Sequence, residues 1–300
     1  MNKEQFKRKL RIMKRKKWPF ALIALVLVIA IALPIGLSAK MTGDRLKEKA
    51  PIPLTDVIIK QTDREKITLV AHRGYSSQAP ENTIPAIQKA AEYGFDYVEI
   101  DVRQTKDGVW VLMHDEDIGT VCDKSGKVSS FTYYDLVPYN IVKGANVQDY
   151  PELKIPTFEQ ALKACLEFNV KPMIEIKDYT REGLENLLKI IDKYGFTKTC
   201  SVISFHREAV EIVREINSGI TLYKLVSKLN KDEMELCLAN PDMGVSFNGN
   251  NKANTPEKIA ELQKAGIPLA CWTVDTKETM EKWVGEGVTT FVTNRIYFHN

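Results

Sequence analysis

Two histidines, three carboxylates and two cationic side chains in this 300-residue chain are spaced so that they could act on one substrate: His72 with Arg73, Glu99 with Asp101, His114, and Glu175 with Lys177. Glu99 and Asp101 are two residues apart and share one face of any strand that carries them. Three carboxylates brought together repel one another unless a cation compensates, and hard oxygen ligands suit one divalent cation, Ca²⁺ or Mg²⁺, better than zinc. Imidazole is the proton donor and acceptor that works near neutral pH. Two imidazoles beside such a cation and an arginine describe phosphoryl chemistry. The cation and Arg73 would neutralise phosphate oxygens, one histidine would take a proton from the attacking group, and the other would protonate the departing alkoxide. Each carboxylate alone has a plainer reading, Glu175 paired with Lys177 and Asp101 with Arg103; the three together favour a metal. Of the two remaining histidines, His206 opens a helix and His299 lies in the tail, and neither is assigned a role.

The elements that must position these groups are legible as periodicity. Short apolar runs at 67–72, 97–102, 171–176, 200–205, 220–226, 243–248, 268–274 and 288–293 predict strands. Helix-period segments such as IPAIQKAAEYG, PTFEQALKACLEF, REAVEIVREIN, TPEKIAELQKAG and TKETMEKWVGEG lie between most of them, many ending in glycine. Eight strands alternating with helices over some 235 residues predict an α/β fold, a (β/α)8 TIM barrel, over a doubly wound open sheet. Reactive groups of such a barrel sit where strands end at its carboxyl face, which is where the residues above fall, joined there by Phe205, Trp272 and Thr293-Asn294. One stretch breaks the alternation. VRQTKDGVWVLMHD reads as a hairpin about Asp107-Gly108; a two-residue turn there sets His114 opposite Asp101, and a three-residue loop with a bulge would slip the register by one. Residues 115–156 then form an inserted irregular cap. In PENTIPAIQKA, Asn82 or Thr83 can cap a helix with Pro85 in its first turn, its N–H groups turned toward the same anion.

The basic charge of the chain is concentrated at one end. Residues 1–17 carry nine Lys or Arg against Glu4, whereas the remaining 283 residues hold 33 basic and 38 acidic groups, a net of −5. Such a body has no long-range attraction for nucleic acid, and no nucleic-acid partner is expected. Residues 18–39 contain no charge and are long enough for a transmembrane signal-anchor helix, with cleavage as the alternative. The basic tail 1–17 favours a cytoplasmic N-terminus, so the expected location is a single-pass cell-membrane protein with an extracytoplasmic body, or a secreted one after cleavage. Residues 40–65 suit a linker and 66–300 the barrel domain. The five cysteines form no CxxC pair and have no zinc spacing to histidine, so buried free thiols are expected.

AHRGYSSQAPENTIPAI, VEIDVRQTKDGVWVLMHD, IEIK, VISF and CWTVD, in that order, resemble the glycerophosphodiester phosphodiesterase family over about three quarters of the chain, from His72 to near the C-terminus. The resemblance implies hydrolysis of a small glycerophosphodiester to glycerol 3-phosphate and an alcohol, with a lysophospholipid as another suitable substrate for an enzyme held at a bilayer. It implies His72 and His114 as acid and base, Glu99, Asp101 and Glu175 as ligands of one divalent cation, Arg73 and Lys177 as phosphate contacts, and Phe205 and Trp272 as pocket walls. Glu81 is expected to be a hydrogen-bonding support for a partner the sequence does not name. Two stretches depart from the family pattern: EDIGTVCDKSG (116–126) follows the His-Asp pair, and Asn294 stands where an aspartate is usual. Other readings are a phospholipase D-like enzyme releasing a cyclic phosphate and a non-catalytic tethered barrel that binds phosphate.

Overall fold

Eight parallel strands close on themselves in the computed structural model, which describes residues 66–298 and the backbone of Ile58–Ile59. Their runs are β2 (Thr68–Ala71), β3 (Tyr97–Gln104), β5 (Lys171–Ile176), β6 (Ser201–Ser204), β7 (Thr221–Val226), β8 (Gly244–Asn248), β9 (Leu269–Trp272) and β10 (Thr290–Thr293). The ring closes because β2 pairs with both β3 and β10. Each of the eight apolar runs thus became a barrel strand, as the TIM-barrel expectation requires. The backbone of β1 (Ile58–Ile59) runs parallel beside β11 (Tyr297–Phe298), apart from the barrel sheet.

Among the described residues the α-helices are α1 (Ile84–Glu92), α2 (Tyr133–Leu136), α3 (Phe158–Glu167), α4 (Arg181–Lys193), α5 (Arg207–Ile216), α6 (Lys231–Ala239), α7 (Pro256–Lys264) and α8 (Lys277–Gly285). Their starts follow from side chains: Thr157 forms a capping box with Gln160 ahead of α3, and Thr83 accepts from Ala86 N–H ahead of α1, whose first turn holds Pro85. Inward residues Val70, Met173, Ile203, Leu225 and Val292 fill the barrel's centre, and outward apolar residues pack under the helices. Strand alternation then puts His72, Glu99, Asp101, Glu175, Trp272 and Asn294 inward toward the carboxyl-end mouth.

The hairpin corrects one expectation. Thr105 N–H donates to Val109 O (2.9 Å) and Gly108 N–H to Thr105 O (2.9 Å), so Lys106, Asp107 and Gly108 form a three-residue loop, with Gly108 at φ 79°. Between β3 and β4 (Trp110–Leu112), Val102 pairs with Leu112 and Arg103 with Val111. The register is one residue away from that of a two-residue turn, and Met113, not His114, stands opposite Asp101, donating to its carbonyl (3.1 Å). Glycine's tolerance of positive φ made the extra residue possible. Residues 115–156 build a small body over this hairpin, with Ile118, Cys122, Val128, Leu136, Ile141 and Ile155 packed on Val111 and Met113.

The five cysteines are buried and unpaired, as expected. Among the described residues no helix is long and apolar enough to cross a membrane; the predicted span 18–39 lies outside them, as do the basic tail 1–17 and His299.

Candidate active site

Glu99 and Asp101 leave β3 at the barrel mouth with 1% exposure each, and Glu175 stands beside Asp101 on neighbouring β5. Each of the three offers an oxygen within 4.8 Å of the others'. Like charges this close in a low-dielectric setting resist ionisation. Burial above all, then the charges of Asp101 and Glu175, pushes the Glu99 carboxyl well above the ordinary range. Burial and Asp101 push Glu175 up to about 7 against the pull of Lys177. Glu99 Oε1 and Asp101 Oδ1 are buried without a hydrogen-bond partner. Orphaned carboxylate oxygens with no nitrogen or sulfur donor among them fit a hard divalent cation.

The His-Arg-Gly turn after β2 wraps this cluster. Arg73 lies at φ 57°, and its backbone N–H donates to Glu99 Oε2 (2.8 Å). Gly74 follows at φ 76°, where a Cβ would sit 2.5 Å from Ala86 Cβ, so only glycine lets α1 pack against the turn. The Arg73 guanidinium reaches Glu81 through Nη1 (3.1 Å to each oxygen) and Asp101 Oδ2 through Nε (3.6 Å). Glu81 therefore supports Arg73, the partner the sequence did not name. Lys177 Nζ lies 2.7 Å from Glu175 Oε1 and 3.6 Å from Asp101 Oδ1. The plainer pairing of Glu175 is thus present, whereas Arg103 pairs with Asp178 (2.9 Å) and not with Asp101.

Both predicted catalytic histidines line the same cavity, of about 120 Å³, with Arg73, Glu99, Glu175 and Lys177. His72 is oriented through Asn294. Asn294 Nδ2 donates to Asp275 Oδ2 (2.7 Å), which turns its Oδ1 to accept from His72 Nδ1–H (2.8 Å). The proton is thereby fixed on Nδ1, leaving Nε2 as the acceptor. Burial first and Arg73 second push the His72 imidazole down to about 4, so it is neutral at physiological pH. His114, brought to the cavity despite the shifted register, is held at both ends. Arg103 Nε and Nη2 donate to its carbonyl (3.1 and 2.9 Å), and its Nδ1 donates to Asp115 Oδ1 (2.8 Å).

The far wall is mostly apolar and includes Ser246 and Thr273, with Ile203, Leu225 and Val292 below and Phe205 and Trp272 above. The last two rings meet edge to face at 5.5 Å, with Phe205 42% exposed at the rim. Every site residue predicted from sequence therefore lines this cavity or touches a residue that does. Sequence reasoning missed the part played by five residues. Asn82, treated as a helix cap, sits at φ 55° and grips Asp101 instead, donating from Nδ2 to Oδ2 (2.8 Å) and accepting from its N–H (3.0 Å). Asp115, Asp275 and Ser246 carried no assigned role, although Ser246 alternates inward on β8 and Asp115 adjoins His114. Asn294 was noted only as a departure from a pattern.

The chain matches the model of the glycerophosphoryl diester phosphodiesterase family over residues 72–297. It is 30% identical over 209 residues to the human protein named glycerophosphodiester phosphodiesterase 1, covering 67% of this chain and 63% of that one. The chain thus spans just under two thirds of that relative's length. A protein of Caldanaerobacter subterraneus named glycerophosphodiester phosphodiesterase is 29% identical over 236 residues, 76% of this chain and 94% of its own. A solved Oleispira antarctica phosphodiesterase in complex with sn-glycerol-3-phosphate shares the fold, with TM-score 0.70 and 21% identity over 77% of this chain and 94% of its own.

Proposed function

The chain belongs to the glycerophosphoryl diester phosphodiesterase family, and from that premise we propose that it hydrolyses glycerophosphodiesters to glycerol 3-phosphate and an alcohol, using a divalent cation, Ca²⁺ or Mg²⁺, and two histidines. The observation that carries this reading is the cavity where His72, His114, Arg73 and Lys177 meet a cluster of three buried carboxylates, two of them with an orphaned oxygen. Glu99, Asp101 and Glu175 would hold the cation, which when bound neutralises charge on phosphate oxygens. Arg73 and Lys177, both at the edge of this cluster, orient the diester and offset the charge that grows in the transition state. His72, neutral and with Nε2 unprotonated, takes the proton of the attacking water. His114, its Nδ1–H held by Asp115, hands a proton from Nε2 to the departing alkoxide. Asn82 keeps Asp101 fixed while this occurs.

The full chain in detergent, incubated with glycerophosphocholine or glycerophosphoethanolamine and Ca²⁺, Mg²⁺ or EDTA, tests the reading. Release of glycerol 3-phosphate is expected only with a cation, and His72→Ala and His114→Ala should each lower the rate at least about 10²-fold. A cyclic phosphate as the stable product would make the enzyme a lyase, and no release with any cation would overturn the proposal. We further propose, on the sequence of residues 1–39 alone, that the chain is anchored in the cell membrane with its barrel outside the cytoplasm. Digestion of the barrel by protease added to intact cells is the expected outcome, and complete protection would refute it.

A further inference from the structure

Ser246 is a polar side chain among the apolar Ile203, Leu225 and Val292 of the cavity, which Thr273 lines nearer Trp272. It points inward from β8, at the level of Leu225 on β7 and Ala270 on β9, with Ile203 and Val292 across from it. Its residue exposure is 0%, yet among the described residues its Oγ has no hydrogen-bond partner. The contrast with Ser204, equally buried, is direct: Ser204 Oγ donates to Ile176 O at 2.8 Å. Only the backbone carbonyl of Ser246 is engaged by a side chain, accepting from Trp272 Nε1 at 2.9 Å, and this leaves the hydroxyl to the cavity. Buried hydroxyls almost always have a partner, since stranding one costs the desolvation of the group. For packing alone, alanine or valine would serve at this position.

We infer that Ser246 binds a free hydroxyl of the substrate's glycerol moiety, a role that rests on the proposed reaction. The charged wall of the cavity takes the phosphate, and the apolar wall takes the carbon skeleton. Ser246 then satisfies a hydroxyl that the skeleton carries into it. A cavity of about 120 Å³ admits a small polyol end, while the second alcohol lies toward the rim at Phe205. Ser246 thereby selects phosphodiesters of glycerol over those of a simple alkyl alcohol.

The test compares the full-length wild type with Ser246→Ala, loaded with Ca²⁺ or Mg²⁺. By calorimetry, the variant should bind glycerol 3-phosphate about tenfold more weakly, the scale of one lost hydrogen bond, while binding inorganic phosphate unchanged. In turnover, kcat/KM should fall about tenfold for glycerophosphocholine. It should not change for the analogue lacking the contacted hydroxyl, a choline phosphodiester of propane-1,3-diol or of propane-1,2-diol. The analogue that escapes the loss identifies the hydroxyl. The ligand-free variant should melt no lower than the wild type, because it has lost only a stranded group. Equal losses for glycerol 3-phosphate and inorganic phosphate, a lower melting temperature, or no loss at all would overturn the inference. Failure of the wild type to turn over any diester would refute the proposed reaction, and the two binding measurements would still decide the role of Ser246.

Discussion

The buried carboxylate cluster makes the stability of the cation-free protein fall as pH rises, and cation binding should reverse that fall. Glu175 titrates near 4.5 in an unfolded chain and near 7 in the fold, raised first by burial and then by Asp101. Below pH 4.5 it is protonated in both states and carries no pH-dependent penalty. Between pH 4.5 and 7 the unfolded chain releases the proton while the fold retains it, so stability declines, and above pH 7 the whole loss is in place. A carboxyl moved from 4.5 to about 7 corresponds to about 3 kcal/mol. Glu99 is shifted in the same direction and adds to the effect. For a domain of this size each kcal/mol moves Tm by about 2–4 °C, so the loss is roughly 6–12 °C. His72, held down at about 4, works oppositely between that pH and its ordinary 6.5. The comparison is therefore between wild type and Glu175→Gln, by scanning calorimetry in EDTA, Ca²⁺ or Mg²⁺ from pH 5 to 8. In EDTA the wild type should lose Tm relative to the variant as pH rises. Added cation should raise the wild-type Tm by several degrees more at pH 8 than at pH 5, because it favours the ionised carboxylates. Parallel curves for the two proteins, or equal cation increments at both pH values, would refute the electrostatic argument.

Three further outcomes follow from particular contacts. Asn294→Ala removes the acceptor that fixes the proton of His72 on Nδ1; kcat should drop about 10–100-fold with KM little changed, as for other supports of a reactive imidazole. Asn294→Asp should keep activity and move the acidic limb of the kcat/KM profile to higher pH, because a carboxylate favours the imidazolium and raises His72 from about 4. Gly74→Ala would place Cβ 2.5 Å from Ala86 Cβ at φ 76°, and should cost about 3 kcal/mol or more, read as a fall in urea midpoint.

What was legible in the chain and what was not divides along a physical line. The barrel strands were readable because each is buried on both faces and so is a continuous apolar run, and the helices between them because one face is apolar. The residues of the site were readable because a charged or imidazole side chain at the end of such a run is out of place in apolar surroundings, as Glu99, Asp101 and Glu175 are. The hairpin register was not, since Asp-Gly serves a two-residue turn and a three-residue bulged loop alike; the choice lies in the Thr105–Val109 hydrogen bond, which pattern does not encode. The supports were less legible still. Asn82 looks like a cap because asparagine before a helix usually is one, and only the left-handed turn at Arg73 and Asn82 points its amide at Asp101. Asp275 and Asn294 are 19 residues apart and meet because β10 lies beside β9 in the ring. Partnerships of that kind are properties of barrel closure, and they decide here which nitrogen of His72 is able to accept a proton.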